Sequence, residues 1–131
     1  SYNNAIFLTD DDDAIKTKTG QMITDPQRAR RTDPGNPDVC NVFTFHGIYS
    51  TEEEVSEINI DCRRAGIGCV DCKKKMAANL IKTLSPVREK RHELESDLNR
   101  VKEIIDKGNK RAKSIAETTM REVKEAIGIG L

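Results

Sequence analysis

Four cysteines are the residues of this chain whose type and spacing best fit a chemical role. Cys40, Cys62, Cys69 and Cys72 are its only cysteines and follow the pattern C-x21-C-x6-C-x2-C. The closing C-x2-C pair leaves a glycine-containing turn and enters a predicted helix, whose first-turn N–H groups can stabilise thiolate charge. The pattern therefore favours a four-thiolate metal site over disulfides or unconnected buried thiols.

The spacing alone leaves the identity of the metal open, because four thiolates suit either tetrahedral zinc or a 4Fe-4S cluster. Gly66 and Gly68 precede the closing cysteine pair, and residues without side chains let backbone N–H groups approach sulfur. His46 and His92 could each replace a ligand. We expect ordinary roles for both, since His46 lies among aromatic residues and His92 in a charged stretch.

Positive charge is concentrated around the cysteines, although 22 basic and 22 acidic residues give the chain no net charge. The segment from Cys62 to Lys75 contains five basic residues and one acidic residue, Asp71, which gives it a local charge of about +4. The five are Arg63, Arg64, Lys73, Lys74 and Lys75. This patch could balance a negative thiolate centre or contact RNA phosphates, and the residues alone do not decide between these roles.

Helix signals recur through the first half of the chain. The acidic run 10–13 favours the positive end of a short helix, and Asn36 followed by Pro37 predicts a helix that ends near Tyr49. Thr51 and Glu54 form a capping-box pattern that predicts a helix over 52–65, with Gly66 as its C-terminal cap. Residues 24–38, rich in proline and arginine, are expected to form a connector.

Apolar residues in the second half recur at helical spacing and predict buried stripes. The first stripe lies on a helix that we expect to end at Ser85-Pro86, and it consists of Ala77, Leu80, Ile81 and Leu84. Later apolar residues, up to Ile127, predict two or three more helices with an interruption at Gly108. The sequence thus predicts an all-α helical bundle.

No apolar run approaches the roughly 18–20 residues that span a bilayer, and no signal-peptide pattern opens the chain. We therefore expect a soluble cytoplasmic protein with no membrane partner. Disulfides are correspondingly less favoured.

Several stretches resemble class I aminoacyl-tRNA synthetases. SYNNAI at 1–6 is similar to the stretch that begins at the end of their KMSKS signature, with Ser1 at the place of its final serine. Segments similar to the tryptophanyl branch occur in the same order: TDP at 24–26, TDPGNP at 32–37, NVF at 41–43, GIGC at 66–69, LSPVREK at 84–90 and the tail 108–131.

The resemblance implies a C-terminal fragment with two parts. Residues 1–35 would be a remnant that links the KMSKS loop, with Ser1 on the ATP side, to a helical anticodon-binding domain at 36–131. The catalytic domain would lie upstream. The fragment alone should be inactive, and ATP and tryptophan would be bound only by the full-length, homodimeric tryptophan-tRNA ligase.

The resemblance also implies roles for the cysteines and the basic residues. Some bacterial members of the family carry a 4Fe-4S cluster on four similarly spaced cysteines near the anticodon, which favours iron-sulfur over zinc here. The predicted tRNA contacts are Arg63, Arg64, Lys73 and Lys74. The alternative is a stand-alone zinc or iron-sulfur module with a structural or redox role.

Overall fold

The structure is a computed structural model that describes residues 5–129. Within these residues every regular element is helical, so the predicted all-α class is confirmed. The elements are α1 (Asp12–Gln21), a one-turn 3-10 helix (Pro37–Val39), α2 (Asn41–Tyr49), α3 (Glu52–Arg63), α4 (Cys69–Ser96) and α5 (Leu98–Ala126). None of these helices is both long enough and apolar enough to cross a bilayer.

Short polar side chains begin the first helices, as the sequence predicts. The Thr51 hydroxyl accepts from the Glu54 N–H at 3.3 Å and the Glu54 carboxylate accepts from the Thr51 N–H, which completes the capping box of α3. Asn36 caps the 3-10 helix through the N–H of Asp38. The helix predicted from Asn36 is nevertheless divided, because Cys40 adopts an extended backbone between the 3-10 helix and α2.

The end of α3 differs from the prediction by one residue. Ala65, and not Gly66, adopts the left-handed conformation, with φ of 59°. The Gly66 N–H bonds the Asp61 carbonyl at 2.7 Å and the Ala65 N–H bonds the Cys62 carbonyl, which together form a Schellman motif. An alanine therefore occupies the position that this motif usually reserves for glycine, and its Cβ is strained there.

The predicted helix end at Ser85-Pro86 is wrong, because α4 continues through Pro86 to Ser96. Proline removes one backbone hydrogen bond and normally kinks or ends a helix. Tertiary contacts on either side of Pro86 oppose this effect. Leu84 is buried just before it, and Arg88 just after it bonds the Asp10 carbonyl at 3.1 Å and the Asp12 carboxylate.

The predicted interruption at Gly108 is also wrong, because α5 is one continuous helix of 29 residues. A glycine inside a helix costs about 1 kcal/mol relative to alanine, which a helix of this length tolerates. None of the α5 residues is buried, so the stripe predicted to be buried there is exposed in the described structure. Its large exposed members include Leu98, Ile105, Ile115, Met120 and Val123.

The chain divides into two compact units, one up to Arg88 and one from Glu89 onward. The division predicted from the sequence, between a remnant at 1–35 and an anticodon-binding domain at 36–131, stays a prediction. The first unit contains the buried core, in which α1, α2 and α4 contribute Ile15, Val42, Met76, Leu80 and Leu84 around Cys40. The predicted α4 stripe is confirmed for Ala77, Leu80 and Leu84, while Ile81 is partly buried at its edge.

Candidate functional site

The four cysteines all lie in the first unit, at or near the ends of helices. Cys40 precedes α2, Cys62 lies in the last turns of α3, Cys69 begins α4 and Cys72 is one turn further along α4. All four are free thiols, so the disulfide alternative is not formed. Cys72 packs against the buried core that contains Cys40.

Burial and mutual repulsion make thiolates unfavourable at this site unless a cation is present. Burial, followed by the charges of the other three cysteines, raises the pKa of Cys72 to about 12. Burial also raises the pKa of Cys62, while the nearby Arg28 guanidinium acts in the opposite direction. Cys62 and Cys72 therefore ionise readily only when a strong positive partner is present.

The arrangement does not match a site for a single metal ion. Within residues 5–129, no three histidine, cysteine or carboxylate side chains are grouped closely enough to hold one ion. Neither the predicted 4Fe-4S cluster nor zinc is therefore shown. A 4Fe-4S cluster takes one thiolate on each of four irons, so its cysteines stand further apart than the ligands of a single zinc ion.

Arg28 connects two of the cysteines to the surrounding loops. Its Nη1 lies 3.9 Å from the Cys62 Sγ and 3.8 Å from the Cys69 Sγ. Its Nη2 donates to the carbonyls of Arg31, at 2.7 Å, and Ile67, at 2.9 Å. Among the described residues, the Nε is buried without a hydrogen-bond partner and the guanidinium has no carboxylate at ion-pair distance. The guanidinium can therefore act as a countercharge for the two sulfurs that it faces.

Gly35 brings the connector against the same cysteine pair. Its N–H donates to the Cys62 carbonyl at 2.9 Å. A Cβ at this position would lie 2.6 Å from the Cys62 Sγ, closer than real Cβ atoms approach, and 3.2 Å from the Arg28 Cδ, which is a tight contact. The site therefore requires glycine here for packing.

His46 is fully buried in α2, as expected for a core histidine, but it also contacts the fourth cysteine. Its Nδ1 lies 2.7 Å from the Ser50 Oγ, and its Nε2 lies 3.2 Å from the Cys72 carbonyl oxygen and 3.5 Å from the Cys72 Sγ. Burial lowers the pKa of His46. His92, by contrast, is largely exposed on α4, with Glu95 3.8 Å away.

The basic residues predicted to contact tRNA do not form one free surface. Arg63 donates to both Asp38 carboxylate oxygens at 2.8 and 2.9 Å, and Arg64 Nε donates to the Asp61 carboxylate at 2.9 Å. Lys73 donates to the Gly20 carbonyl. Lys73 and Lys74 lie beside an apolar groove of about 820 Å³ that is bounded by α1 and α4. Much of the predicted charge is thus neutralised locally.

A second concave surface contains arginines of the 24–38 connector. The sequence alone does not show that they lie near the cysteines. A pocket of about 420 Å³ beside Cys69 is lined by Arg28, Arg30 and Arg31, together with Gly68. Arg31 holds the Gly66 turn through the carbonyls of Ala65 and Gly66, each at 3.2 Å. The cluster of three arginines within four residues can be recognised in the sequence. Its position beside Cys69 cannot, because the two segments are far apart along the chain.

Arg30 is the freest cation of this pocket. Within residues 5–129 its side chain has no carboxylate or carbonyl partner, and the residue is exposed. The pocket therefore offers an unneutralised guanidinium beside the cysteines. Ser1, the predicted remnant on the ATP side, lies outside the described residues.

Comparisons with known proteins agree over the length of the chain. The family model described as tRNA synthetases class I (W and Y) matches residues 1–85. The tryptophan--tRNA ligase of Aquifex aeolicus is 40% identical over 130 residues, and that of Thermotoga maritima is 38% identical over 130 residues. Each alignment covers 98% of this chain but only 33% and 40% of the relative, respectively.

Solved structures show the same relationship at the level of fold. The crystal structure of tryptophanyl-tRNA synthetase from Campylobacter jejuni superposes with a TM-score of 0.82 at 26% identity. The match covers 98% of this chain and 41% of that one. A second crystal structure of the same synthetase, complexed with ADP and tryptophane, has the same TM-score.

Proposed function

Since the chain belongs to the class I tRNA synthetases of the tryptophan and tyrosine group, we propose that it is the tRNA-facing helical part of a tryptophan-tRNA ligase. The names of its relatives support tryptophan as the amino acid. The chain spans 33–40% of the length of these relatives. Activation of tryptophan by ATP would therefore take place elsewhere in a homodimeric, cytoplasmic enzyme, and this part alone would be inactive.

The arginine pocket beside Cys69 is the observation that carries the proposed RNA contact. Single-stranded loop bases are bound by stacking on guanidinium planes, while their phosphates attract cations. Among residues 5–129 the Arg30 side chain has no ion-pair partner, although Asp71 also lines the pocket, and Arg31 is held against the Gly66 turn. The pocket therefore combines an available cation with a fixed wall. We propose the anticodon loop as the single-stranded part of the tRNA that enters this pocket.

Three of the four basic residues predicted from sequence, Arg63, Arg64 and Lys73, take secondary places in this proposal. Arg63 and Arg64 would have to give up carboxylate partners before they could bind phosphate, and Lys73 would have to release a carbonyl. Lys74 is exposed beside the groove and can contribute directly. We therefore rank Arg30 and Lys74 above the other three as tRNA contacts.

Arg30→Gln and Arg64→Gln form a matched pair for testing this interface in the full-length protein. Arg30→Gln should weaken binding of tryptophan-specific tRNA and make the negative slope of log K against log[salt] shallower by about 1, since one phosphate contact is lost. Arg64→Gln should change both less, because its charge is already balanced by Asp61. Tryptophan activation by pyrophosphate exchange should persist in both variants. Unchanged tRNA affinity in Arg30→Gln would exclude the pocket as the contact.

We further propose that Cys40, Cys62, Cys69 and Cys72 hold a 4Fe-4S cluster. Two observations support the fit: Arg28 Nη1 lies 3.9 and 3.8 Å from the sulfurs of Cys62 and Cys69, and Cys72 packs against the buried core that contains Cys40. When bound, such a cluster supplies iron-thiolate bonds and an electron-accepting centre. These bonds would tie Cys40 and Cys62 to the start of α4, and so fix the wall of the arginine pocket.

Glycine variants test the cluster without changing a ligand. Gly35→Ala would push a methyl group into the Cys62 sulfur and should sharply reduce iron and sulfide content after anaerobic purification. Gly20→Ala, whose added Cβ meets nothing within 4 Å, should leave the content unchanged. Visible absorption and metal analysis provide the readouts. A colourless wild type with stoichiometric zinc would instead support a structural zinc module.

A further inference from the structure

A hydrogen-bonded chain of side chains runs from α3 to the fourth cysteine. The Asn79 amide Nδ2 donates to the Glu54 Oε2 and to the Ser50 Oγ, each at 2.8 Å. The Ser50 Oγ lies 2.7 Å from His46 Nδ1, and His46 Nε2 reaches the carbonyl oxygen and sulfur of Cys72. Five residues from α2, α3 and α4 and from the α2–α3 junction are thus linked in one line.

The two ends of this chain fix the direction of every hydrogen bond in it. An ionised Glu54 carboxylate only accepts, so the Asn79 group that faces it must be the NH2. The same NH2 occupies an acceptor position of Ser50 and leaves the hydroxyl proton free to point to His46 Nδ1. At the other end, the Cys72 carbonyl oxygen also only accepts, so the nitrogen 3.2 Å away must carry a proton.

We propose that the Cys72 carbonyl selects the His46 tautomer protonated on Nε2 and that Ser50, oriented by Asn79, fixes the ring by donating to Nδ1. The imidazole is then a fixed N–H donor to the Cys72 sulfur. The opposite tautomer would place a bare nitrogen against the Cys72 carbonyl, with two acceptors facing each other in a fully buried site. His46 is therefore a positioning residue and not a fifth ligand. Its Nε2–H is shared between the carbonyl and sulfur of one cysteine.

The consequence for a metal centre rests on the proposed 4Fe-4S cluster, whereas the tautomer does not. Hydrogen bonds to ligand sulfurs stabilise the more negative, reduced state of a cluster and so raise its reduction potential. His46 would do this at Cys72, while Arg28 faces Cys62 and Cys69. Three of the four sulfurs would then have a nitrogen donor nearby.

Long-range ¹H–¹⁵N spectra of the ¹⁵N-labelled chain test the tautomer directly, with or without metal. At neutral pH His46 should show a single neutral tautomer with protonated Nε2 and bare Nδ1. His92, the only other histidine and largely exposed, is the internal control and should show averaged tautomers. A bare Nε2 at His46, or averaging like that of His92, would overturn the proposal.

Two substitutions at Ser50 separate the hydrogen bond from side-chain size. Ser50→Ala removes the bond to Nδ1 but leaves the Cys72 carbonyl, so Nε2 should stay protonated. The ring should be held less firmly, and the Nδ1 ¹⁵N signal should shift toward that of a nitrogen without a hydrogen bond. Ser50→Thr keeps the hydroxyl and should keep the wild-type Nδ1 signal. Circular dichroism checks that both variants fold. If the Nδ1 signal of Ser50→Ala equals that of wild type, Ser50 does not donate to His46 and the proposal fails.

Chain reconstituted anaerobically with Fe²⁺ and sulfide provides a second readout. The reduction potential of Ser50→Ala should shift to more negative values than that of wild type, and Ser50→Thr should restore it. Equal potentials in all three proteins would refute the donor role at Cys72. If wild type takes up no iron, the proposed cluster fails instead, and the nitrogen spectra still decide the tautomer.

Discussion

Replacing Arg28 with methionine tests whether this side chain holds the connector against the cysteine site. Methionine keeps much of the length and apolar volume but removes the charge and all donors. The bonds at stake are those of Nη2 to the carbonyls of Arg31 and Ile67, the second of which lies 39 residues from Arg28 in sequence. They join the connector to the turn before α4.

The expected loss can be worked out from these bonds. Hydrogen bonds from a charged donor contribute about 1.5–3 kcal/mol each, so two represent about 3–6 kcal/mol. Removing the guanidinium also removes its buried, unpartnered Nε, which relieves a desolvation cost of about 1–3 kcal/mol. Taking the middle of each range, Arg28→Met should therefore lower the free energy of unfolding by about 2.5 kcal/mol, a large share of the total for a small domain.

Urea unfolding of the reduced, metal-free chain, followed by circular dichroism, measures this difference. Arg30→Met is the matched control, because that side chain has no partner within residues 5–129 and should change stability by no more than about 0.5 kcal/mol. If the cysteines hold a metal centre, the loss in Arg28→Met should grow on loading, since the guanidinium then faces permanent negative charge. Equal stabilities of the Arg28→Met and Arg30→Met variants would refute this account of Arg28.

Three further changes concern individual positions. Ala65→Gly should raise the free energy of unfolding by about 1 kcal/mol, because glycine adopts a left-handed φ without strain; a lower thermal midpoint would contradict this. Backbone N–H groups of Asn36 and Gln27 hold the pKa of the Asp25 carboxyl below its ordinary value of 3.8. The ionised carboxylate therefore stabilises the fold at pH values above 3.8, and this stabilisation is lost as the pH falls through the lowered pKa. Asp25→Asn should therefore be less stable than wild type at neutral pH and approach it below about pH 3.8, and a constant difference across an acid titration would exclude this linkage. Leu80→Ala should cost about 2–5 kcal/mol in urea unfolding, because only 2% of Leu80 is exposed, and a near-zero change would mean that the α4 face is wrongly placed.

Features that depend on nearby residues could be predicted from the sequence. The Thr51–Glu54 capping box forms as expected, since both partners lie within one helical turn. The apolar stripe of α4 is buried at Ala77, Leu80 and Leu84, because helical spacing alone puts these side chains on one face. The helix breaks predicted at Pro86 and Gly108 failed for the opposite reason. A local propensity of a few kcal/mol is outweighed by distant contacts or by the length of the helix.

The sequence by itself determined an all-α chain, the spacing of four cysteines and the family to which the chain belongs, because these depend on residue types and local periodicity. Only the tertiary structure decided which cations face those cysteines. It places Arg28 against Cys62 and Cys69 across 34 and 41 residues, and turns Arg63 toward Asp38. Such pairings arise from chain segments that meet only after folding, and no local pattern encodes where they meet.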